Sequence, residues 1–393
     1  MGDRHGPDVA VAFVRDWLTD YGGADRTTEA ALELFPGAPV YTLLYRPDQF
    51  AGRAIARHPI RTSFIARLPG GGSRYRSFLP LMPLAVEQFD LRDYDIVLSM
   101  SHAVAKGVLT RADQLHISYV FTPVRYAWDL YFDYLDDNGI GRGPKGWIVR
   151  LMLHYLRLWD AASSLRPDVL VAASRAVARR IWKLYRRPAD VIYPPVDLDR
   201  FTPSRVRDEF YLTVSRLVPY KRVPLIAEAF TRLKRPLVVI GDGPDRDRVR
   251  RAAGSNVDIL GHQPDEVVAD YMARAKAFVF AAEEDFGIAP IEAQAAGAPV
   301  IAYARGGATE TVIAGETGVF FEAPTVESLS AAVERFERQA SRFQPDQIRL
   351  TTRRFGRDRF QGAFVQLVDR EWERFAGRGC VFPEVPERRV HAR

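Results

Sequence analysis

A single cysteine, Cys380, stands among 393 residues, so no internal disulfide can form and a reducing compartment is expected. No set of Cys and His residues has metal-ligand spacing, which leaves no place for a structural zinc. Long apolar runs are also missing. The best of them, residues 78–86, is broken by Pro80 and Pro83 and falls far short of the roughly 18 residues that cross a bilayer. The opening residues 1–7 are polar and carry no apolar core of a signal peptide, so export is not expected and the cytoplasm is the expected location. Acidic residues are absent between Asp48 and Glu87, where Arg53, Arg57, Arg61, Arg67, Arg74 and Arg76 fall just before the apolar residues 78–86. Arginines joined to an exposed apolar run suit peripheral contact with an anionic membrane, which would place the protein at the inner face. A solvated basic loop over a buried strand accounts for the same pattern equally well. No nucleic-acid-binding module accompanies the charge, so nucleic acid is not an expected partner.

What remains is an ordinary globular composition, 47% hydrophobic and 26% charged, with a net charge of +6. The excess lies in residues 1–205, with 27 Lys/Arg against 22 Asp/Glu; residues 206–393 hold 28 against 27. The length suggests two domains, each able to bury its own core. Residues 9–14 form a continuous apolar run, as in a strand covered on both faces, and residues 24–35 have helical spacing that stops at Pro36-Gly37. Strands are predicted again at 40–44, 96–99, 116–120 and 169–172, with helices at 148–163 and 175–185. A second lobe repeats the alternation, with strands at 210–214, 237–240, 257–260, 277–280 and 299–302. The fold class is therefore α/β, with two doubly wound parallel sheets. Three prolines within residues 193–203 forbid helix there and mark the hinge, and residues 355–375 read as a final amphipathic helix.

The chemistry-bearing residues cluster behind second-lobe strands. After the strand at 277–280, Glu284 and Glu292 are placed on a loop and in the first turns of the next helix, both facing the cleft beyond the carboxyl end of the sheet. A carboxylate accepts two vicinal hydroxyls, so the pair suits a ligand with sugar hydroxyls at both ends. Phe286, Gly287 and Ile288 lie between them, where backbone N–H groups at a helix N-terminus suit a phosphate or sugar oxygen. A surface glutamate pair capping the helix is the plainer alternative. After the strand at 210–214, Arg216 and Lys221 can clamp a diphosphate and stabilise the charge that grows on it as it leaves. The strand at 237–240 runs into the glycine turn Gly241-Asp-Gly-Pro244, compatible with close approach to a phosphate or ribose.

Taken in order, these pieces resemble the family-4 retaining glycosyltransferases of GT-B architecture, in which two Rossmann-like domains face a cleft. Ser215-Arg216 with Lys221, Gly241-Asp-Gly-Pro244, the Glu284 and Glu292 pair, Gly306-Gly307 with Glu310, and Gly315-Glu-Thr-Gly318 follow the family's order. In the first lobe Gly22-Gly23-Ala-Asp-Arg26 resembles the glycine-rich donor loop, and residues 120–128 resemble the central segment. The resemblance implies that residues 1–203, with a C-terminal helix at about 355–393, form the acceptor domain, and residues 204–354 the nucleotide-sugar domain. It implies that Arg216 and Lys221 hold the donor diphosphate, Glu292 the ribose and Glu284 the transferred sugar. Phe286–Ile288 would complete the sugar site, Gly23 would let a helix approach the phosphates, Gly241 would line the nucleotide site, and Gln263 would lie by the base. The implied co-substrate is a nucleoside-diphosphate sugar, GDP-mannose by similarity to bacterial mannosyltransferases of surface polysaccharide assembly, with a saccharide acceptor, free or lipid-diphosphate-linked. The architecture requires no metal.

Two positions depart from the family. Phe121 stands before Thr122-Pro123, where the family carries a histidine beside the reacting sugar, and phenylalanine can neither donate a hydrogen bond nor carry charge. His102, after the strand at 96–99, is a candidate neighbour, although an ordinary strand-end role is the plainer reading. Asp25 stands where relatives often place glutamate. The first departure keeps open a catalytically impaired sugar-nucleotide-binding partner subunit; a GT-B sugar-nucleotide 2-epimerase is the third alternative.

Overall fold

The computed structural model describes residues 9–69, 75–137, 139–141, 143–204 and 206–377; Arg74 and Cys380 lie outside the described residues. The first sheet has seven parallel strands, β1 (Val11–Arg15), β2 (Val40–Thr42), β3 (Ile60–Thr62), β4 (Ile96–Ser101), β5 (Leu115–Val120), β6 (Val169–Ala172) and β7 (Asp190–Val191), in the order β3-β2-β1-β4-β5-β6-β7. The second has six, β8 (Tyr211–Val214), β9 (Leu237–Ile240), β10 (Val257–Gly261), β11 (Ala277–Phe280), β12 (Val300–Tyr303) and β13 (Gly318–Phe321), in the order β10-β9-β8-β11-β12-β13. Two Rossmann-like parallel-sheet domains result. β4 and β5 are buried along their whole length, as strands covered by helices on both faces must be.

Each strand order reverses once, and those two places matter most. In the first sheet β1 leads to β2 and β3 on one side, after which β4 pairs with the other edge of β1. In the second, β9 and β10 extend from one edge of β8 and β11 takes the other. The loops leaving the carboxyl ends of β1 and β4, and of β8 and β11, therefore diverge and leave a crevice in each sheet.

The last described helix, Arg357–Ala376, returns to the first lobe. Its Phe360, Phe364, Leu367 and Val368 are buried against Phe13, Ile117 and Tyr119 of that sheet. Each such side chain contributes about 1.5–3 kcal/mol by burial, so this helix is a structural part of the first lobe's core. Gln361 adds a hydrogen bond to the Ala30 carbonyl at 3.0 Å. Between the lobes, residues 193–203 hold no helix or named strand, although Val196 forms an isolated bridge to Gly356.

The apolar run at 78–86 is not the open face that its composition suggested. It folds as a 3-10 turn, Tyr75–Leu81, followed by the short helix Met82–Val86, whose Met82, Pro83, Ala85 and Val86 are buried. They pack against Val14, Tyr41 and Val97, because a two-sided sheet has apolar demand on both faces. Leu81 and Leu84 stay exposed, as do Arg53, Arg57, Arg61 and Arg67.

Candidate active site

The crevices at the two reversal points face one another and merge into a cleft of about 1530 Å³. The ten residues to which the resemblance gives site roles all line it: Gly23 from the first lobe, and Arg216, Lys221, Gly241, Gln263, Glu284, Phe286, Gly287, Ile288 and Glu292 from the second. Each second-lobe residue follows the carboxyl end of β8, β9, β10 or β11.

On the second lobe, Lys221 ends the 3-10 turn Pro219–Lys221 after β8. Its ammonium group touches the Glu284 carboxylate. Burial draws the Lys221 pKa down to about 8, while the neighbouring Asp285 charge favours the ammonium form. Arg216 is exposed on the same wall. The two cations and Glu284 thus share one patch, which a diphosphate can enter by displacing the carboxylate from the lysine.

The segment after β11 turns into the helix Ile288–Ala295 through Gly287, whose φ of 82° is left-handed and favours glycine. The helix N-terminus opens on the cleft. Phe286 stacks on Tyr193 with ring centroids 5.6 Å apart and packs edge-on to Phe355, which anchors the turn to the inter-lobe segment. The Gly307 amide donates to the Glu284 carbonyl at 2.7 Å and fixes the loop from below. One turn into the helix, Glu292 is pushed above the usual carboxylate range by burial, against the pull of Arg26. Gln263 donates to the Leu260 carbonyl at 2.8 Å, which holds its side chain beside the end of β10.

The first lobe supplies a buried polar hub. Asp16, just past β1, accepts from the amides of His102, Ala103, Val104 and Ala105 at 2.6–3.3 Å. Burial alone would raise its carboxyl, but His102, 2.8 Å away, and Arg15 outweigh that and hold it well below the usual range. Arg15 also pairs with Asp25 at 3.3 Å. Asp25 in turn accepts from the Gly22 amide at 3.0 Å and starts the helix Gly23–Leu32. Aspartate therefore performs the local bonding at this departure. Phe121 lies over the Arg15 guanidinium, 5.2 Å from it, so an apolar ring occupies a place beside a buried cation. His102 lines the cleft near Phe121.

Several functional contacts were not legible as such. Arg26 reaches across the cleft to Glu292 at 3.3 Å, and Arg200 meets Asp265 at 3.0 Å. Glu310, which the motif order had included without a role, accepts from the Arg175 and Ala176 amides at 2.9 and 2.7 Å. It thereby caps the first-lobe helix Arg175–Tyr185 from the second lobe. Asp285 pairs with Arg180 on the same helix. These contacts hold the lobes together over the site, and only the tertiary fold brings them into range.

Two facing Rossmann-like lobes with the nucleotide-type motifs on the second define a GT-B protein. Residues 197–349 match the family described as "Glycosyl transferases group 1". It is 30% identical over 199 residues to a GDP-mannose-dependent alpha-(1-6)-phosphatidylinositol monomannoside mannosyltransferase of Mycolicibacterium smegmatis, covering 42% of this chain and 52% of that protein. It is 32% identical over 189 residues to a D-inositol 3-phosphate glycosyltransferase of Mycobacteroides abscessus, covering 42% and 41%. The chain thus spans about half the length of the curated relatives it matches. In structure it is similar to sucrose-phosphate synthase from Thermosynechococcus elongatus, with a TM-score of 0.69 at 16% identity over 93% of this chain and 100% of that one. It is also similar to Anabaena HepE in complex with UDP and glucose, with a TM-score of 0.65 at 16% identity over 92% and 99%.

Proposed function

We propose that this chain is a retaining glycosyltransferase that moves mannose from GDP-mannose onto a lipid-linked saccharide or other glycan acceptor. The observation that carries the reading is the convergence of Arg216, Lys221, Glu284 and Glu292 on one wall of a cleft whose other wall presents Gly23. The bond between the anomeric carbon and the diphosphate oxygen breaks, the bond to the acceptor oxygen forms on the same face, and the acceptor proton passes to the departing phosphate. Arg216 and Lys221 stabilise the charge left on that phosphate, so the reading assigns no role to a metal ion. Glu284, freed from Lys221 when the diphosphate arrives, accepts from the sugar hydroxyls, and Glu292 accepts from the ribose. GDP-mannose is favoured because the M. smegmatis relative is a GDP-mannose-dependent mannosyltransferase.

Phe121 in the cleft favours a second reading, an impaired partner subunit that binds the nucleotide without turnover. The two are separated by following label from GDP-mannose and from UDP-glucose into lipid and glycan fractions of a membrane extract, with Glu284→Ala as control. Transfer from GDP-mannose that is lost in the variant supports the first reading. Tight GDP binding without transfer, restored to turnover by Phe121→His, supports the second, and transfer unaffected by Glu284→Ala removes the site assignment altogether.

A further inference from the structure

The helix Pro144–Ser163 is locked to the first lobe on one side and bare on the other. Its inner face buries Leu153 and Leu156 against Val124, Ala127 and Leu135. Asp160 fixes it further by accepting from Trp128 Nε1 and the Tyr185 hydroxyl, each at 2.8 Å, and by pairing with Lys106. The outer face carries Trp147, Ile148, Leu151, Met152, Tyr155 and Leu158, of which Trp147 is 67% and Leu151 69% exposed. At 3.6 residues per turn these six fall within an arc of about 140°. Lys145 borders the arc on one side, and Arg150 and Arg157 on the other. Between Asn138 and Ala189 the sequence holds eleven Lys/Arg against two acids, Asp160 and Asp168, and Asp160 is buried. Of the three nearest acids before the helix, Asp133 and Asp137 line the cleft, and Asp136 is exposed on the preceding helix, Tyr131–Asp137, outside the apolar arc.

We infer that this face is a docking surface for an anionic lipid bilayer. An apolar arc with a tryptophan, bordered by cations on a helix whose one acid is buried, has the composition of a helix that lies in the headgroup layer. A second copy of the chain would fit it poorly, since meeting face to face would set cationic rim against cationic rim. The surface differs from the arginine-rich stretch at 53–86, whose apolar part is largely buried in the core. It also bears on the site: the segment beneath the helix contributes Tyr126, Leu130 and Tyr134 to the cleft wall, so a bilayer on the outer side brings a lipid-anchored acceptor to the cleft mouth. The inference holds whatever the donor sugar is.

The test is co-sedimentation of the full chain with vesicles of equal parts phosphatidylglycerol and phosphatidylcholine, and with phosphatidylcholine alone. Binding to the anionic vesicles is expected to exceed the other by about tenfold and to weaken with salt. The double variant Trp147→Glu/Leu151→Glu should lose it with an unchanged melting temperature, while Arg53→Ser/Arg57→Ser should retain it. Absence of wild-type binding overturns the inference, as does undiminished binding by the glutamate variant. So does a wild-type dimer, seen by sedimentation equilibrium, that the glutamate variant converts to monomer, because the face would then serve a second copy. Since no donor or acceptor enters the assay, its failure leaves the transferase reading standing.

Discussion

Lys221 gives the sharpest handle on the proposed diphosphate clamp, because its proton is held loosely enough to remove near neutral pH. Burial lowers its pKa from the ordinary 10.5 to about 8. If the diphosphate binds the ammonium form, GDP affinity is nearly flat below about pH 7 and falls as pH rises through 8, by about tenfold between pH 7 and pH 9, or ~1.4 kcal/mol. For the unliganded fold the sign is reversed. Between about 8 and 10.5 the unfolded chain still holds the proton that the folded chain has released, so this group's contribution makes stability rise with pH in that window. Isothermal titration calorimetry of GDP from pH 7 to 9.5 measures the first effect. Lys221→Arg is the control, since a guanidinium keeps its charge throughout and should flatten the profile. A wild-type profile that is already flat, or one that Lys221→Arg leaves unchanged, would refute the assignment of Lys221 to the diphosphate.

Three further outcomes follow from other parts of the site. Glu310→Ala removes the acceptor for two helix-terminal amides across the lobe junction and should cost about 1 kcal/mol, seen as a melting temperature lower by about 2 °C; an unchanged melt would show that the contact contributes nothing. At Gly23 a Cβ would stand 2.5 Å from Ile288 Cδ1, so Gly23→Leu should hold the lobes apart at an overpacking cost of about 1–3 kcal/mol, weakening GDP binding by about tenfold or more, and unaltered binding would contradict the close approach. Transfer from the donor should persist in excess EDTA, because the charges that the diphosphate needs come from side chains; loss of activity that magnesium restores would overturn that reading.

The alternation of buried strands with amphipathic helices made both sheets legible, since strands such as β9 and β11 are continuous apolar runs. The three strands that escaped notice are the exceptions to that pattern. β3 places Arg61 and Thr62 at an exposed sheet edge, β7 is two exposed residues, and β13 begins at Gly318 inside a stretch that reads as a glycine turn. Residues such as Arg216 and Glu284 could be picked out because charge and glycine directly after an apolar strand have few structural uses. Arg26 and Glu310 could not be given partners, because theirs lie at least 239 and 117 residues away and meet only in the folded chain. The outer stripe of Pro144–Ser163 escaped for a related reason: apolar helical spacing looks alike whether its partner is a core or a lipid surface. Residues 78–86 allow two readings, an open apolar face or a buried run beneath a basic loop, and the structure buries Met82, Pro83, Ala85 and Val86 while Leu81 and Leu84 stay exposed.

The central claim is that Arg216 and Lys221 form a nucleoside-diphosphate site. Its most direct test is the thermal stabilisation of the wild type and of Arg216→Ala by GDP and UDP at matched concentration, where a ligand at about 100 times its dissociation constant adds roughly 2.7 kcal/mol. The account predicts a shift with GDP, a smaller one with UDP, and loss of both in the variant. A GDP shift that survives Arg216→Ala, or no shift with either nucleotide, would contradict it.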